Sequence, residues 1–346
     1  MLRILILAAL IWWGGKFLRF SRLLRLSVVG LLYCVVLLLH LTLPPLHGLR
    51  QSTGGSVEPW LLLGGFGLLA LGYWRIISML RTRAQPKEPP MSDAAPTFSG
   101  TELERYARHI VLRELGGPGQ KRLKQAKVLV IGAGGLGAPA LQYLAAAGVG
   151  TIGVIDDDIV ENANLQRQVI HRDKDIGTPK VFSAQAAMEA QNPYVIVRPY
   201  HRRLDAEIAT ELFSEYDLIL DGTDNFDTRY LVNRTAVALG KPLISGALSQ
   251  WEGQLSLFHP KQGGPCYQCI FPEAPAMGLA PSCSEAGVIG PLPGVVGSMM
   301  AVEAIKHITG AGMVLRDELL IYDALYGESR KIRLSRNEEC PICNAT

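Results

Sequence analysis

The 346-residue chain lacks three features that would each have pointed to a different class of protein. It has no internal repeat, which sets aside a solenoid or other array of stacked units. It has little excess charge, +3 in all, and the excess is unevenly placed: residues 1–90 hold ten Lys/Arg and two acids, the remainder 24 basic and 29 acidic side chains. A nucleic-acid-binding domain needs a basic face, and the larger part of this chain is mildly acidic, so no nucleic-acid partner is expected. Cysteine is also sparse. Of the six, four stand as two Cys-x-x-Cys pairs, Cys266/Cys269 and Cys340/Cys343, which does not resemble the framework of a small secreted disulfide protein.

Long apolar runs are what the chain does have. Residues 26–46 and 60–80 are almost wholly apolar, and each is as long as the roughly 20 residues of helix that cross a bilayer. Pro44, Pro45 and the polar stretch 51–56 separate them. Lys16, Arg19, Arg22 and Arg25 precede the first run, and Arg81, Arg83 and Lys87 follow the second. Basic flanks on the two outer ends predict a transmembrane helical hairpin with both ends cytoplasmic in a bacterial inner membrane. Residues 2–13 form a third apolar stretch, short for a span, which lies in the interface or forms a further helix; no small-residue cleavage motif marks it as a signal peptide. The expected organisation is a membrane segment over 1–83, a Pro-rich linker over 84–100 and a catalytic domain over 101–346.

That domain is organised around residues 127–158. A β-branched run, 128–131, meets Gly132-Ala133-Gly134-Gly135-Leu136-Gly137; an Ala-rich helical stretch and a second strand, 151–155, follow, ending in Asp156-Asp157-Asp158. Glycines let a backbone turn tightly and approach a phosphate, the helix N-terminus presents free N–H groups to the anion, and an acid at the end of the next strand accepts bonds from ribose hydroxyls. The unit predicts nucleotide binding but does not say which nucleotide. Before it, Thr101 is expected to cap a helix carrying Arg105 and Arg108, with Gly116-Gly117-Pro118-Gly119 breaking it and a short helix over 120–125.

After it, Arg167 and Lys180 are fixed cations suited to neutralising phosphates. A strand over 217–220 runs into Asp221-Gly222-Thr223-Asp224-Asn225. An acid at the carboxyl end of a strand in a parallel sheet points into the ligand crevice, so Asp224 is a candidate magnesium ligand.

These motifs, with Cys-Tyr-Gln-Cys at 266–269 and Cys-Pro-Ile-Cys at 340–343, resemble in content and order the MoeB/ThiF/HesA family, bacterial relatives of ubiquitin-activating enzymes. The resemblance covers residues 103–343 and is strongest to the MoeB branch, activators of the small subunit of molybdopterin synthase; His109 stands where that family usually has Gln. It implies an α/β, Rossmann-like doubly wound sheet of the E1-like ATP-binding fold with a C-terminal zinc-stapled portion. It also implies ATP-dependent adenylation of the C-terminal glycine of a ubiquitin-fold sulfur carrier ending in Gly-Gly, with release of pyrophosphate, in molybdenum cofactor biosynthesis.

Residue by residue, Gly132, Gly135 and Gly137 match the ATP loop and Asp156 the ribose acid. Asp158, Asn164, Arg167 and Lys180 match residues at the phosphates and the reaction centre, and Asp224 the acid associated with Mg2+. Arg108 matches an arginine that enters the neighbouring subunit's site in a homodimer. Cys266, Cys269, Cys340 and Cys343 match a structural Zn2+ site. Cys283 matches a cysteine that some members link covalently to the carrier. A separate sulfur donor is expected, because no sulfurtransferase domain follows Cys343. Thiamin- or cysteine-pathway carriers are alternatives. The glycine pattern alone also fits an NAD-dependent oxidoreductase, and an inactive membrane adapter is the remaining reading.

Overall fold

The computed structural model describes residues 2–18, 20–84, 97–275 and 286–344. The chain forms two compact units, Met1–Ala94 and Ala95–Thr346.

The first unit is helical: α1 Leu2–Phe17, α2 Arg22–Thr42, α3 Gly48–Thr53 and α4 Glu58–Ala84. Ser21 caps α2, its side chain accepting from the Leu24 N–H. The apolar run 26–46 outlasts its helix, because Leu43 precedes Pro44 and the residue before a proline is driven out of the helical region. Within the described residues two helices, Leu23–Thr42 and Glu58–Met79, are long and apolar enough to cross a membrane. Most of their large side chains are exposed. Their polar groups are joined within the unit: His40 Nε2 and Thr53 Oγ1 lie 2.9 Å apart, Trp60 Nε1 donates to the Thr53 carbonyl, and Tyr33 donates to the Trp60 carbonyl at 2.7 Å.

The second unit is an α/β fold. It opens with α5 Gly100–Arg105, α6 Ala107–Ile110 and α7 Gly116–Gln125. Ser99, not Thr101, caps α5, in a reciprocal box with Glu102. The Gly-Gly-Pro-Gly stretch begins α7 rather than breaking a helix; a proline in the first turn lacks only an N–H that would be unbonded anyway.

Then come β1 Lys127–Ile131, α8 Gly137–Ala147, β2 Thr151–Ile155, α9 Lys180–Gln191, β3 Ile196–Tyr200, α10 Ala206–Ser214, β4 Leu218–Asp221, α11 Phe226–Ala238, β5 Leu243–Leu248, β6 Glu252–Phe258, α12 Tyr267–Ile270, α13 Pro291–Thr309, β7 Glu318–Asp323 and β8 Glu328–Arg333.

The eight strands form one sheet in the order β3-β2-β1-β4-β5-β6-β7-β8. The first five are parallel; β6, β7 and β8 continue as an antiparallel meander. Successive side chains on a strand point to opposite faces. Accordingly Val128 and Val130 pack with Leu141 and Leu144 of α8, Val181 and Met188 of α9 and Met300 of α13. Leu129 and Ile131 pack with Phe213 of α10 and Val232 and Ala236 of α11. Helices on both faces explain why the central parallel strands β1, β2 and β4 read as largely apolar runs. The order reverses between β2 and β4 around β1, and a crevice opens there at the strands' carboxyl ends, where doubly wound sheets bind ligands.

Candidate active site

The glycine loop crosses from β1 to α8 at that crevice. Gly132 has φ 91°, in the left-handed region open to glycine. Gly137 permits a close approach: a Cβ there would lie 1.9 Å from the Gly132 carbonyl oxygen. Gly132, Gly134 and Gly135 line a cavity of about 630 Å3, together with Asp156, Asp158, Arg167, Lys180 and Asp224. Seven of the residues singled out from the sequence therefore share one space. Gly137 and Asn164 are not among its lining residues; Gly137 supports the loop from behind, and Asn164 Oδ1 accepts from Arg167 Nη2 at 3.2 Å, orienting that guanidinium. Arg108, exposed on α6, is also absent from the lining of its own chain's cavity. Cys283 lies outside the described residues.

Asp156 stands at the end of β2. Its carboxylate accepts from the Ala133 N–H at 2.7 Å and the Asp158 N–H at 2.8 Å. Burial raises its pKa above the ordinary carboxylate value, against the pull of Lys180 and these two N–H groups. Lys180 is buried at the start of α9 and donates to Asp158 Oδ2 at 2.7 Å, while Asp158 is largely open to solvent. Its ammonium is thereby held at the cavity wall with one exposed partner that an anionic ligand can replace.

The 221–225 loop sorts its polar side chains by task. Asp221 is buried and accepts from both the N–H and the hydroxyl of Thr223. Asn225 caps α11 by accepting from the Thr228 N–H at 2.9 Å. Asp224 is left exposed on the cavity, with no partner among the described residues. A hard carboxylate oxygen of this kind suits Mg2+.

Arg229 is not among the residues singled out from the sequence. It is buried on α11 and donates to the carbonyls of Thr223 and Gly246, the latter at 2.8 Å, and to Ser245 Oγ at 3.2 Å, with Asp221 Oδ2 at 3.9 Å. The planar fork of a guanidinium suits this bridging of two strand ends. A signal existed: Arg229, Val232, Asn233 and Ala236 fall on one buried helical stripe, where a lone arginine is out of place. Arg203, which also lines the cavity, gave no such signal.

The four paired cysteines meet away from the cavity. Their Sγ atoms all lie within 4.8 Å of one another, with Cys266–Cys269 at 3.8 Å, Cys266–Cys340 at 3.6 Å and Cys269–Cys343 at 3.3 Å. A tetrahedron with Zn–S bonds of about 2.3 Å has edges of roughly 3.8 Å, so the set fits zinc. Burial raises the pKa of Cys266, partly countered by Asn233, and raises that of Cys343 to about 11. Burial opposes ionisation of Cys340 as well, but the N–H groups of Cys343 and Ile342 and the neighbouring thiols outweigh it and lower its pKa to about 7.

The family description "ThiF family" matches residues 106–342 of the chain. A relative named sulfur carrier protein adenylyltransferase, from Thermus thermophilus, is 52% identical over 246 residues, covering 70% of this chain and 91% of the relative. A probable adenylyltransferase/sulfurtransferase MoeZ from Mycobacterium tuberculosis is 51% identical over 256 residues, covering 73% of this chain and 65% of the relative. A SAMP-activating enzyme E1 from Haloferax volcanii is 47% identical over 247 residues, with coverage of 71% and 91%. Among solved structures, PaaA superposes with a TM-score of 0.61 at 23% identity over 75% of this chain and 81% of its own. The crystal structure of E. coli MccB with ATP does so with a TM-score of 0.60 at 23% identity, covering 69% and 74%. These two likenesses establish the Rossmann-like, E1-like fold.

Proposed function

The chain belongs to the ThiF family, and we propose that it is an adenylyltransferase that uses ATP to activate the C-terminal glycine of a ubiquitin-fold sulfur carrier. The observation that carries this reading is the single cavity joining the glycine loop, Asp156, Arg167, Lys180 and Asp224. In this reading Gly132, Gly135 and the N-terminus of α8 cradle the phosphates and Asp156 takes the ribose. Asp224 holds Mg2+, which supplies charge neutralisation at the phosphates.

A carrier carboxylate oxygen attacks the α-phosphorus, a C–O–P linkage forms, and the bond from that phosphorus to pyrophosphate breaks. Arg167 and Lys180 stabilise the charge that gathers on the phosphoryl oxygens. The attacking carboxylate is already ionised near neutral pH, so the reaction needs positioning rather than a protein base. Arg108 enters the cavity of a second protomer in a homodimer. Cys266, Cys269, Cys340 and Cys343 hold a structural Zn2+ that ties the C-terminal segment to α12.

Within this class the carrier is the small subunit of molybdopterin synthase, and sulfur comes from a separate donor. The helices α2 and α4 span a bacterial inner membrane as a hairpin, with the catalytic unit on the cytoplasmic side. Support for that comes from their length, apolarity and basic outer flanks. The expected fractionation is with membranes, released by detergent and not by high salt.

Mass spectrometry of the carrier after incubation with the full-length protein, ATP and Mg2+ tests the chemistry. A carrier heavier by one adenylyl group, formed only with the Gly-Gly terminus intact, is the expected product. An unmodified carrier from every sulfur-carrier pathway would refute it. A molybdopterin-synthase subunit left unmodified while a thiamin- or cysteine-pathway carrier is adenylated would reassign the partner.

A further inference from the structure

The glycine loop is held from behind by groups that the reaction above does not use. His171 is buried; its Nε2 lies 3.0 Å from the Ala133 carbonyl oxygen and its Nδ1 2.9 Å from Ser183 Oγ. Ser183 Oγ in turn lies 3.0 Å from Asp175 Oδ2, which also accepts from the Arg172 N–H at 3.1 Å. We propose that His171 and Ser183 form a positioning relay beneath the glycine loop, holding the Ala133–Gly134 peptide so that its N–H faces the phosphates of the bound nucleotide.

The geometry of the peptide carries this. In a planar trans peptide the C=O and N–H point in opposite directions. A carbonyl anchored to His171 therefore turns the Gly134 N–H away from His171. Gly134 lines the cavity, and its N–H has no partner among the described residues. The Ala133 N–H is held separately by Asp156, so both polar groups of Ala133 are anchored. Ser183 lies three residues after Lys180 on α9, so one helix carries both the cavity cation and the relay.

Proton counting fixes the roles. The Ala133 oxygen can only accept, so Nε2 carries a proton. The charged groups facing the ring are Lys180 and Asp175. Burial is the main cause that lowers the His171 pKa; Lys180 acts in the same direction, against the Ala133 carbonyl and Asp175. The ring is thus neutral and Nδ1 accepts; the one proton of the Ser183 hydroxyl serves Nδ1 or Asp175 Oδ2, not both, and while it points at Nδ1 the Asp175 carboxylate keeps the Arg172 N–H. Ser183 selects the tautomer that anchors the loop.

The proposal rests on ATP being the ligand, so the test reads ATP binding directly, by calorimetry on the full-length protein in detergent. His171→Leu is expected to weaken ATP about tenfold, the worth of one lost hydrogen bond. His171→Gln, whose amide can still donate to Ala133, is expected to recover most of it. Ser183→Ala is expected to weaken ATP several-fold in the wild-type background and not at all beside His171→Gln, where no tautomer remains to be selected. A purely structural role would give equal effects in both backgrounds and no rescue, and either result overturns the relay. Should the leucine variant fail to fold, the glutamine and alanine variants decide alone. Wild-type binding separates the two readings: its absence overturns the nucleotide reading and the relay together, whereas intact wild-type binding with additive variants overturns the relay only.

Discussion

The cavity at the glycine loop and the cysteine cluster are built from opposite rules. In the cavity, polar groups lack protein partners: Asp224 and the Gly134 N–H have none among the described residues, and Lys180 has one solvent-exposed partner. In the cluster, four thiols face one another, all buried. Unsatisfied groups at a crevice cost stability and await a ligand. Four soft donors closed around one point suit a metal that leaves no open position, which is a structural site rather than a catalytic one.

A single helix connects the two regions. On α11, Arg229 bridges the strand ends at the cavity, and Asn233, one turn later, accepts from the Tyr267 N–H and donates to Cys266 Sγ.

The largest effect that would sharpen this contrast lies in the cluster. Cys340→Ser is expected to abolish zinc retention and lower the stability of the catalytic unit by several kcal/mol, since apparent zinc-binding energies reach about 10 kcal/mol in small domains. Metal analysis and thermal melting measure it; a variant that keeps wild-type stability would break the assignment of the cluster to structure.

Arg229→Met comes next and should affect both regions. Leaving Asp221 buried without its cation costs about 3–5 kcal/mol, read by chemical denaturation, and the loosened 221–225 loop lowers turnover as well.

Lys180→Ala is expected to lower carrier adenylation by about 100–1000-fold, the usual cost of removing one donor that stabilises transition-state charge. Zinc content and melting temperature should stay near wild type. A parallel fall in all three would erase the distinction between the regions.

The smallest effect is acid sensitivity. Burial lowers the pKa of His171, His259 and His307, the last two also facing each other and Arg316. A base whose folded pKa lies below its unfolded value contributes stability that is present above the ordinary imidazole pKa of 6.5 and is lost as pH falls through the folded value. Denaturation of the catalytic unit should therefore grow easier below pH 6.5, and His259→Gln should flatten that slope. An unchanged slope would place the acid sensitivity elsewhere.

The features legible in the sequence were those set by local chemistry. Strand 151–155 coincides with β2, because the β-branched run Thr151, Ile152, Val154 and Ile155 between a turn glycine and an acid leaves little choice. The glycine loop, Asp156 and Asp224 were legible from their places at strand ends. Local rules also erred where two caps competed: Ser99 with Glu102 took the place expected for Thr101 with Glu104, and since each has an acid at the reciprocal position the local pattern does not choose between them.

Features that depend on distant pairing stayed hidden. The antiparallel β6–β8 extension follows from pairings such as Leu255 with Leu320, 65 positions apart, which no local period encodes. His171 reads as one histidine in a polar loop until Ala133, 38 positions away, is placed against its ring. Arg229 carried a faint signal on a buried stripe, and the carbonyls it satisfies belong to the loop after β4 and to β5, whose meeting the sequence does not announce.

ATP–pyrophosphate exchange by the full-length protein in detergent, with a carrier ending in Gly-Gly, tests the division between an open reacting site and a closed structural one most directly. Exchange should depend on the carrier and disappear in Asp224→Ala while zinc content and melting temperature stay unchanged. Exchange that survives in Asp224→Ala, or no exchange with any sulfur carrier from a folded, zinc-replete protein, would contradict that division.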